Sequence, residues 1–147
     1  MNIKLRDCTL TDLELLLDLK RLCLRKYIEI HYGWDEEIQK QKTQKELANN
    51  LSNMKVITLD GIDIGITTFF EYEDYCQVGL LIIHPDYQNK GIATSIINDY
   101  IKYARENKKR IIIKTNIENP ARKLYERLGF TIYETDNTHV YLEIKAE

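Results

Sequence analysis

The sequence is poor in the residues that punctuate a chain. Its 147 residues include only 6 Gly and 2 Pro, so the position of each carries information. Cysteine is also scarce. Cys8, Cys23 and Cys76 are widely separated, odd in number and form no CxxC pair. Neither a zinc ribbon nor a disulfide framework fits that pattern, and the simplest reading is buried thiols in a reducing cytosol. His31, His84 and His139 do not fall at metal-ligand spacing, so no metal is expected. No window approaches roughly 18 consecutive apolar residues, which excludes a spanning helix. The opening Met1-Asn2-Ile3-Lys4-Leu5-Arg6-Asp7 is charged where a signal peptide needs an apolar stretch, so a cytoplasmic protein with no membrane partner is expected. Nor is there an excess of charge of one sign. Lys plus Arg total 21 and Asp plus Glu total 23, a formal net charge of -2, which argues against a nucleic-acid partner. GxxxxGK[ST] and GxGxxG are both absent, excluding the two best-known nucleotide loops.

What is present is an ordinary folded composition, 44% hydrophobic and 30% charged. The length suits one domain over 1–147. A short strand near Ile3–Arg6 leads to Thr11-Asp12-Leu13-Glu14, which reads as a capping box. A helix is predicted from there to about Glu29, with Leu13, Leu16, Leu17, Lys20 and Leu24 along its inner side and Gly33 as the stop beyond it. Asp35-Glu36-Glu37 opens a second, polar helix reaching about Leu51. Met54–Leu59, Ile64–Glu73 and Gln77–Ile83 read as an antiparallel three-strand meander, with Asp60-Gly61 at its first turn. The last of these is nearly continuously apolar, as expected of a strand buried on both faces.

After Gly91 the period becomes helical, with Ile92, Ile96, Ile97, Tyr100, Ile101 and Ala104 on one stripe. Arg110–Thr115 is a further buried strand, predicted to lie parallel to Gln77–Ile83 across the helix. Asn119-Pro120 starts another helix with good cap chemistry; Ala121, Leu124, Tyr125 and Leu128 form its apolar face and Gly129 ends it. Phe130–Glu134 and Val140–Ile144 close the chain as a hairpin. The predicted order, βααβββαβαββ, is an α/β (α+β) fold: a mixed, mostly antiparallel sheet of about seven strands with four helices.

The segment from Val78 to Thr94 carries the chemistry. It is a strand, a short polar loop and a helix that begins at Gly91. Unpaired N–H groups and partial positive charge at a helix start favour an anion. Gly91 and Ala93 keep that start free of bulk, and Lys90 adds charge.

Gln88-Asn89-Lys90-Gly91-Ile92-Ala93 resembles the Q/R-x-x-G-x-G/A motif of the GNAT N-acetyltransferase superfamily. Asn119-Pro120-Ala121-Arg122-Lys123-Leu124-Tyr125-Glu126-Arg127-Leu128-Gly129-Phe130 resembles its second signature, N-x-x-A-x-x-L-Y-x-x-x-G-F, with a small offset in the Asn spacing. With the element order, the resemblance covers essentially the whole chain. It implies that Gln88, Asn89, Lys90, Gly91, Ile92, Ala93 and Thr94 bind the pyrophosphate of acetyl-CoA. It implies that Leu81, Ile82 and Ile83 pair with the pantetheine arm, one amide polarising the thioester carbonyl. In the superfamily this strand splays from its parallel neighbour and admits the acetyl group. Asn119 would contact the cofactor arm, and Tyr125 would protonate the departing thiolate.

The departures are Gln88 for the commoner Arg, Ala93 for Gly, and Gln77 where some members carry a Glu base. An alkyl amine acceptor still has to lose a proton, since only about one in a thousand is neutral at pH 7. Glu71 and Glu73 are the candidate bases. For the acceptor, Tyr27, Glu29, Trp34 and Asp35 form an aromatic and acidic corner between the first two predicted helices, and Tyr72 adds to the strand side. The expectation is acetyl transfer to a primary amine, most simply a small molecule, by direct attack in a ternary complex. Transfer to a protein or peptide amine, or a non-catalytic acyl-CoA-binding module, are the alternatives. Monomer and homodimer are both open.

Overall fold

The computed structural model describes residues 1–147. The elements are β1 (Ile3–Asp7), α1 (Leu13–Cys23), α2 (Arg25–Tyr32), α3 (Glu36–Asn50), β2 (Met54–Leu59), β3 (Ile62–Glu71), β4 (Tyr75–Ile83), α4 (Ile92–Glu106), β5 (Arg110–Asn116), α5 (Ala121–Arg127), β6 (Thr131–Thr135) and β7 (His139–Ile144). The strands form one mixed sheet in the order β1-β2-β3-β4-β5-β7-β6. No helix is long and apolar enough to cross a membrane.

There are five α-helices rather than the four predicted. The first predicted helix breaks at Leu24, whose φ of -118° is wider than in a regular helix while its ψ of -19° stays in the right-handed region. No glycine or proline marks the break. The Leu24 N–H still donates to the Lys20 carbonyl at 2.8 Å, while its own carbonyl receives the N–H groups of Tyr27 and Ile28 at 3.0 Å. The Leu24 side chain packs against the core, so tertiary packing sets this corner. The start also differs. Thr9 and Asp12, not Thr11 and Glu14, form the capping box, on a short 3-10 turn over Leu10–Asp12. The Asp12 carboxylate accepts from the Thr9 N–H at 2.9 Å.

By internal contacts the chain divides into two compact units, 1–68 with 80–90 and 69–79 with 91–147. In the first, β1 pairs antiparallel with β2 and β2 with β3. Its core joins Leu16 and Leu19 of α1, Leu47 of α3, Met54 and Val56 of β2, Ile66 of β3 and Ile82 of β4. Helix α3 is polar along its length yet buries Gln39, Thr43 and Leu47, spaced by four residues. Lys20, itself buried, reaches Thr43 Oγ1 at 3.4 Å and Glu46 Oε2 at 2.5 Å.

In the second unit, β4 pairs parallel with β5, Tyr75–Val78 facing Arg110–Ile113, as the strand–helix–strand order predicts. Strand β7 pairs antiparallel with β5 and β6. Ile92, Ile96, Ile97, Ile101 and Ala104 form the buried stripe of α4. Up to Gly79, β4 alternates buried and accessible residues, and β5 does likewise. They are therefore not the doubly buried strands expected from their apolar runs.

Candidate active site

The last residues of β4 are held by side chains as well as by the ladder. The Leu80 N–H donates to Thr68 Oγ1 at 2.6 Å, and the Leu80 carbonyl accepts from Thr67 Oγ1 at 2.9 Å. Two consecutive hydroxyls thus take both backbone groups of one residue, a departure from plain strand pairing. Thr67 and Thr68 are both buried. Two positions on, the Ile82 carbonyl presses on Gly65, where any Cβ would collide with it. The Ile83 carbonyl accepts from Gln88 Nε2 at 2.8 Å and from Cys23 Sγ at 3.2 Å. Leu81, Ile82 and Ile83 are therefore a braced strand end. The Gln88 side chain turns back toward β4.

The loop then tightens. Pro85–Tyr87 is a 3-10 turn, and His84 Nδ1 accepts from the Asp86 N–H at 3.1 Å. Asn89 and Gly91 both take the left-handed conformation, with φ of 62° and 80°. Lys90, between them, is exposed.

At the start of α4, no side chain caps the helix, and a Cβ on Gly91 would meet nothing within 4 Å. The first N–H groups, of Ile92, Ala93 and Thr94, thus have no capping side chain as acceptor. In α5, the Asn119 carboxamide oxygen accepts from the Ala121 N–H at 2.9 Å, so its side chain acts as the cap expected of it. Tyr125 is buried, with its ring edge-on to Phe130 at 6.1 Å between centroids. Desolvation alone pushes its hydroxyl up to about 12, so it is protonated at neutral pH.

Glu71 is fully engaged. Its carboxylate accepts from Lys109 Nζ at 2.9 Å and from the Tyr103 hydroxyl at 2.5 Å. These bonds, Lys109 first, hold it below the usual carboxylate range. Glu73 is exposed beyond the end of β3. Tyr72 is exposed and stacks on Tyr75, with centroids 4.7 Å apart.

The corner between α2 and α3 is built by its own members. Asp35 caps α3 through the Ile38 N–H at 3.0 Å, and Glu29 pairs with Arg25 at 2.6 Å. Trp34 Nε1 donates to Glu36 at 2.8 Å, while the Arg25 guanidinium lies 5.5 Å over its ring. Tyr27 is buried. Asp35, Glu29 and Trp34 thus each have a local partner.

A cleft of about 430 Å³ opens elsewhere in this unit, lined by Leu15, Asp18, Leu19, Arg21, Leu22, Asp63 and His84. None of these was among the sequence candidates. Only His84, next to Pro85 at the head of the loop, stood beside a motif the sequence could reveal.

The acetyltransferase (GNAT) domain family matches residues 24–140. An uncharacterised N-acetyltransferase of Methanocaldococcus jannaschii is 25% identical over 141 residues, 86% of this chain and 59% of that protein. The chain thus spans about three-fifths of that curated relative's length. The fold is similar to that of PaiA N-acetyltransferase from Thermoplasma acidophilum, solved in complex with coenzyme A. Its TM-score is 0.78 at 18% identity, covering 100% of both chains. The ribosomal-protein-S18-alanine N-acetyltransferase of Escherichia coli gives a TM-score of 0.70 at 17% identity, covering 99% of this chain and 95% of that one. The family match takes in both signature segments, the uncapped start of α4 and the Asn119-capped helix bearing Tyr125. The chain belongs to the GNAT acetyltransferase domain family.

Proposed function

We propose that the protein transfers an acetyl group from acetyl-CoA to a primary amine by direct attack. The observation that carries this reading is the start of α4. A 15-residue helix without a side-chain cap, entered through a left-handed Gly91 with open space around it, suits the pyrophosphate of coenzyme A. The cofactor supplies an activated thioester. The residues to hold it are the backbone of Gln88–Thr94 and the strand Leu81–Ile83, with Asn119 serving mainly to fix α5.

Tyr125 then has a defined role. At about 12 its hydroxyl is a weaker acid than a free thiol, near 8.5. It therefore keeps its proton and offers a hydrogen bond to the departing sulfur. That bond strengthens as negative charge develops, which is where it accelerates the reaction. The acceptor reading is a small amine with an apolar body, seated in the cleft of Leu15, Leu19 and Leu22; at its edge lie the carboxylates of Asp18, paired with Arg21, and Asp63, paired with Arg6.

Acetyl-CoA consumption against amines, polyamines, amino acids and peptides tests the reading. Tyr125→Phe should leave coenzyme A affinity unchanged and lower kcat by about 10²-fold, as for loss of one donor to developing charge. Leu22→Trp should raise KM for the amine and not for acetyl-CoA. Coenzyme A binding that survives Gly91→Val would sink the pyrophosphate assignment.

A further inference from the structure

The carbonyl of Ile83, the last residue of β4, has two side-chain donors. Gln88 lies five residues downstream and Cys23 sixty residues upstream, at the end of α1. Both bonds are partly buried. A strand's terminal carbonyl normally finds water or a backbone partner. Here it ties a loop and a helix to one atom.

The loop beyond this tie needs bracing. Asn89 and Gly91 are both in the left-handed region, within three residues of one another. For Asn89 such a conformation costs free energy and persists only where neighbours hold it. Gln88 is the residue immediately before Asn89, and its carboxamide is anchored. The other end of the turn is pinned too, since the His84 N–H donates to the Ile64 carbonyl at 2.8 Å. Cys23 adds a donor from a separate element, so the end of α1 and the end of β4 are coupled.

We infer that Cys23 and Gln88 are positioning residues that set acetyl-CoA affinity by holding the Ile83 carbonyl, and through it the loop leading to Gly91. This rests on the reading of that loop as the pyrophosphate site. Neither side chain has to touch the cofactor. Their loss should therefore appear in binding and leave the chemical step nearly untouched.

The test is coenzyme A titration by calorimetry, with kcat and KM for acetyl-CoA and thermal denaturation alongside. Gln88→Met keeps the side-chain length without a donor. It should raise Kd and KM about fivefold, with kcat within about twofold, as expected for one lost hydrogen bond. Cys23→Ala should raise both about twofold to threefold, the thiol being a weak donor. Cys23→Ser should restore affinity toward the starting value. A simple packing role for Cys23 would not predict that rescue. The double variant should exceed the product of the singles, because only then is the carbonyl without either side-chain donor. Folded Gln88→Met and Cys23→Ala proteins that bind coenzyme A like the unaltered protein would overturn the positioning role alone. Failure of the unaltered protein to bind coenzyme A would overturn the loop assignment, and this role with it.

Discussion

The Ile82 carbonyl oxygen occupies the space that a Cβ on Gly65 would need, and Ile57 Cδ1 would stand 3.2 Å from that same Cβ. Gly65 has no left-handed backbone, so the glycine is required by space rather than by conformation. It lets β3 approach the residues expected to pair with pantetheine. Gly65→Ala must push Ile82 outward or strain β3, and should cost about 1–3 kcal/mol. Urea denaturation reads the loss, and coenzyme A titration reads the displaced strand. An unchanged midpoint together with unchanged affinity would refute the close approach.

Lys20 and Glu46 make a second test. The lysine side chain is 9% exposed and its partner 28%, so the pair is largely withdrawn from water. Lys20→Ala removes the partner and the packing of the alkyl stem, and should cost about 2–4 kcal/mol. Lys20→Met should cost less, because it keeps the stem. Lys20→Met with Glu46→Leu should recover most of the stability, since no unpaired charge is left. If the double variant is no better than Lys20→Met alone, the cost lies in packing and not in charge.

Asp12 should contribute to acid sensitivity. Arg6 donates to its carboxylate at 2.9 and 3.1 Å, and the Thr9 N–H adds a third bond at 2.9 Å. The Arg6 bond chiefly lowers its pKa from 3.8 to about 2, against the opposing effect of burial. A depressed folded pKa contributes stability that is complete above the unfolded value. It is lost as pH falls from about 4 toward 2. Arg6 is 38% exposed, so solvent screening limits the contribution to about 1–2 kcal/mol. Stability measured from pH 6 to pH 2 should fall less steeply in Asp12→Asn, whose baseline is already lowered. Parallel curves for the two proteins would remove Asp12 from the acid transition.

Local chemistry made part of this structure legible in advance. Asp60-Gly61 turns with φ of 50° and 84°, Gly129 ends α5 at φ of 107°, and the Asn119 side chain caps that helix. Each signal is carried by the residue itself. The break at Leu24 is not, because it depends on what Leu24 packs against. The pairing of Lys20 with Glu46 and the hydroxyl brace on Leu80 join residues distant in sequence, and neither partner is unusual alone. The same limit applies to the site. Two motifs marked the loop before α4, proposed to hold the cofactor, and Tyr125. Cys23 and the cleft beside His84 had no sequence signal, because their meaning lies in which backbone atom or neighbour they meet.

Under the proposed reaction, the partners of Glu71 bear on how an amine acceptor would lose its proton. A general base must be free to receive one and poised near the working pH. Glu71 instead accepts from both Lys109 and Tyr103, and sits below the usual carboxylate range because of them. Glu71→Gln should therefore retain kcat within about threefold, far short of the 10²-fold loss of a true base. If no group on the protein takes the proton, the reactive species is the neutral amine, and its fraction sets the rate. For an alkyl amine, log kcat/KM should climb with unit slope from pH 7 toward the amine's own pKa, near 10.4. Tyr125, at about 12, stays protonated across that range and adds no falling limb. A plateau beginning near pH 6–7 would show that a group on the protein takes the proton, and Glu73→Gln would be the next variant to measure.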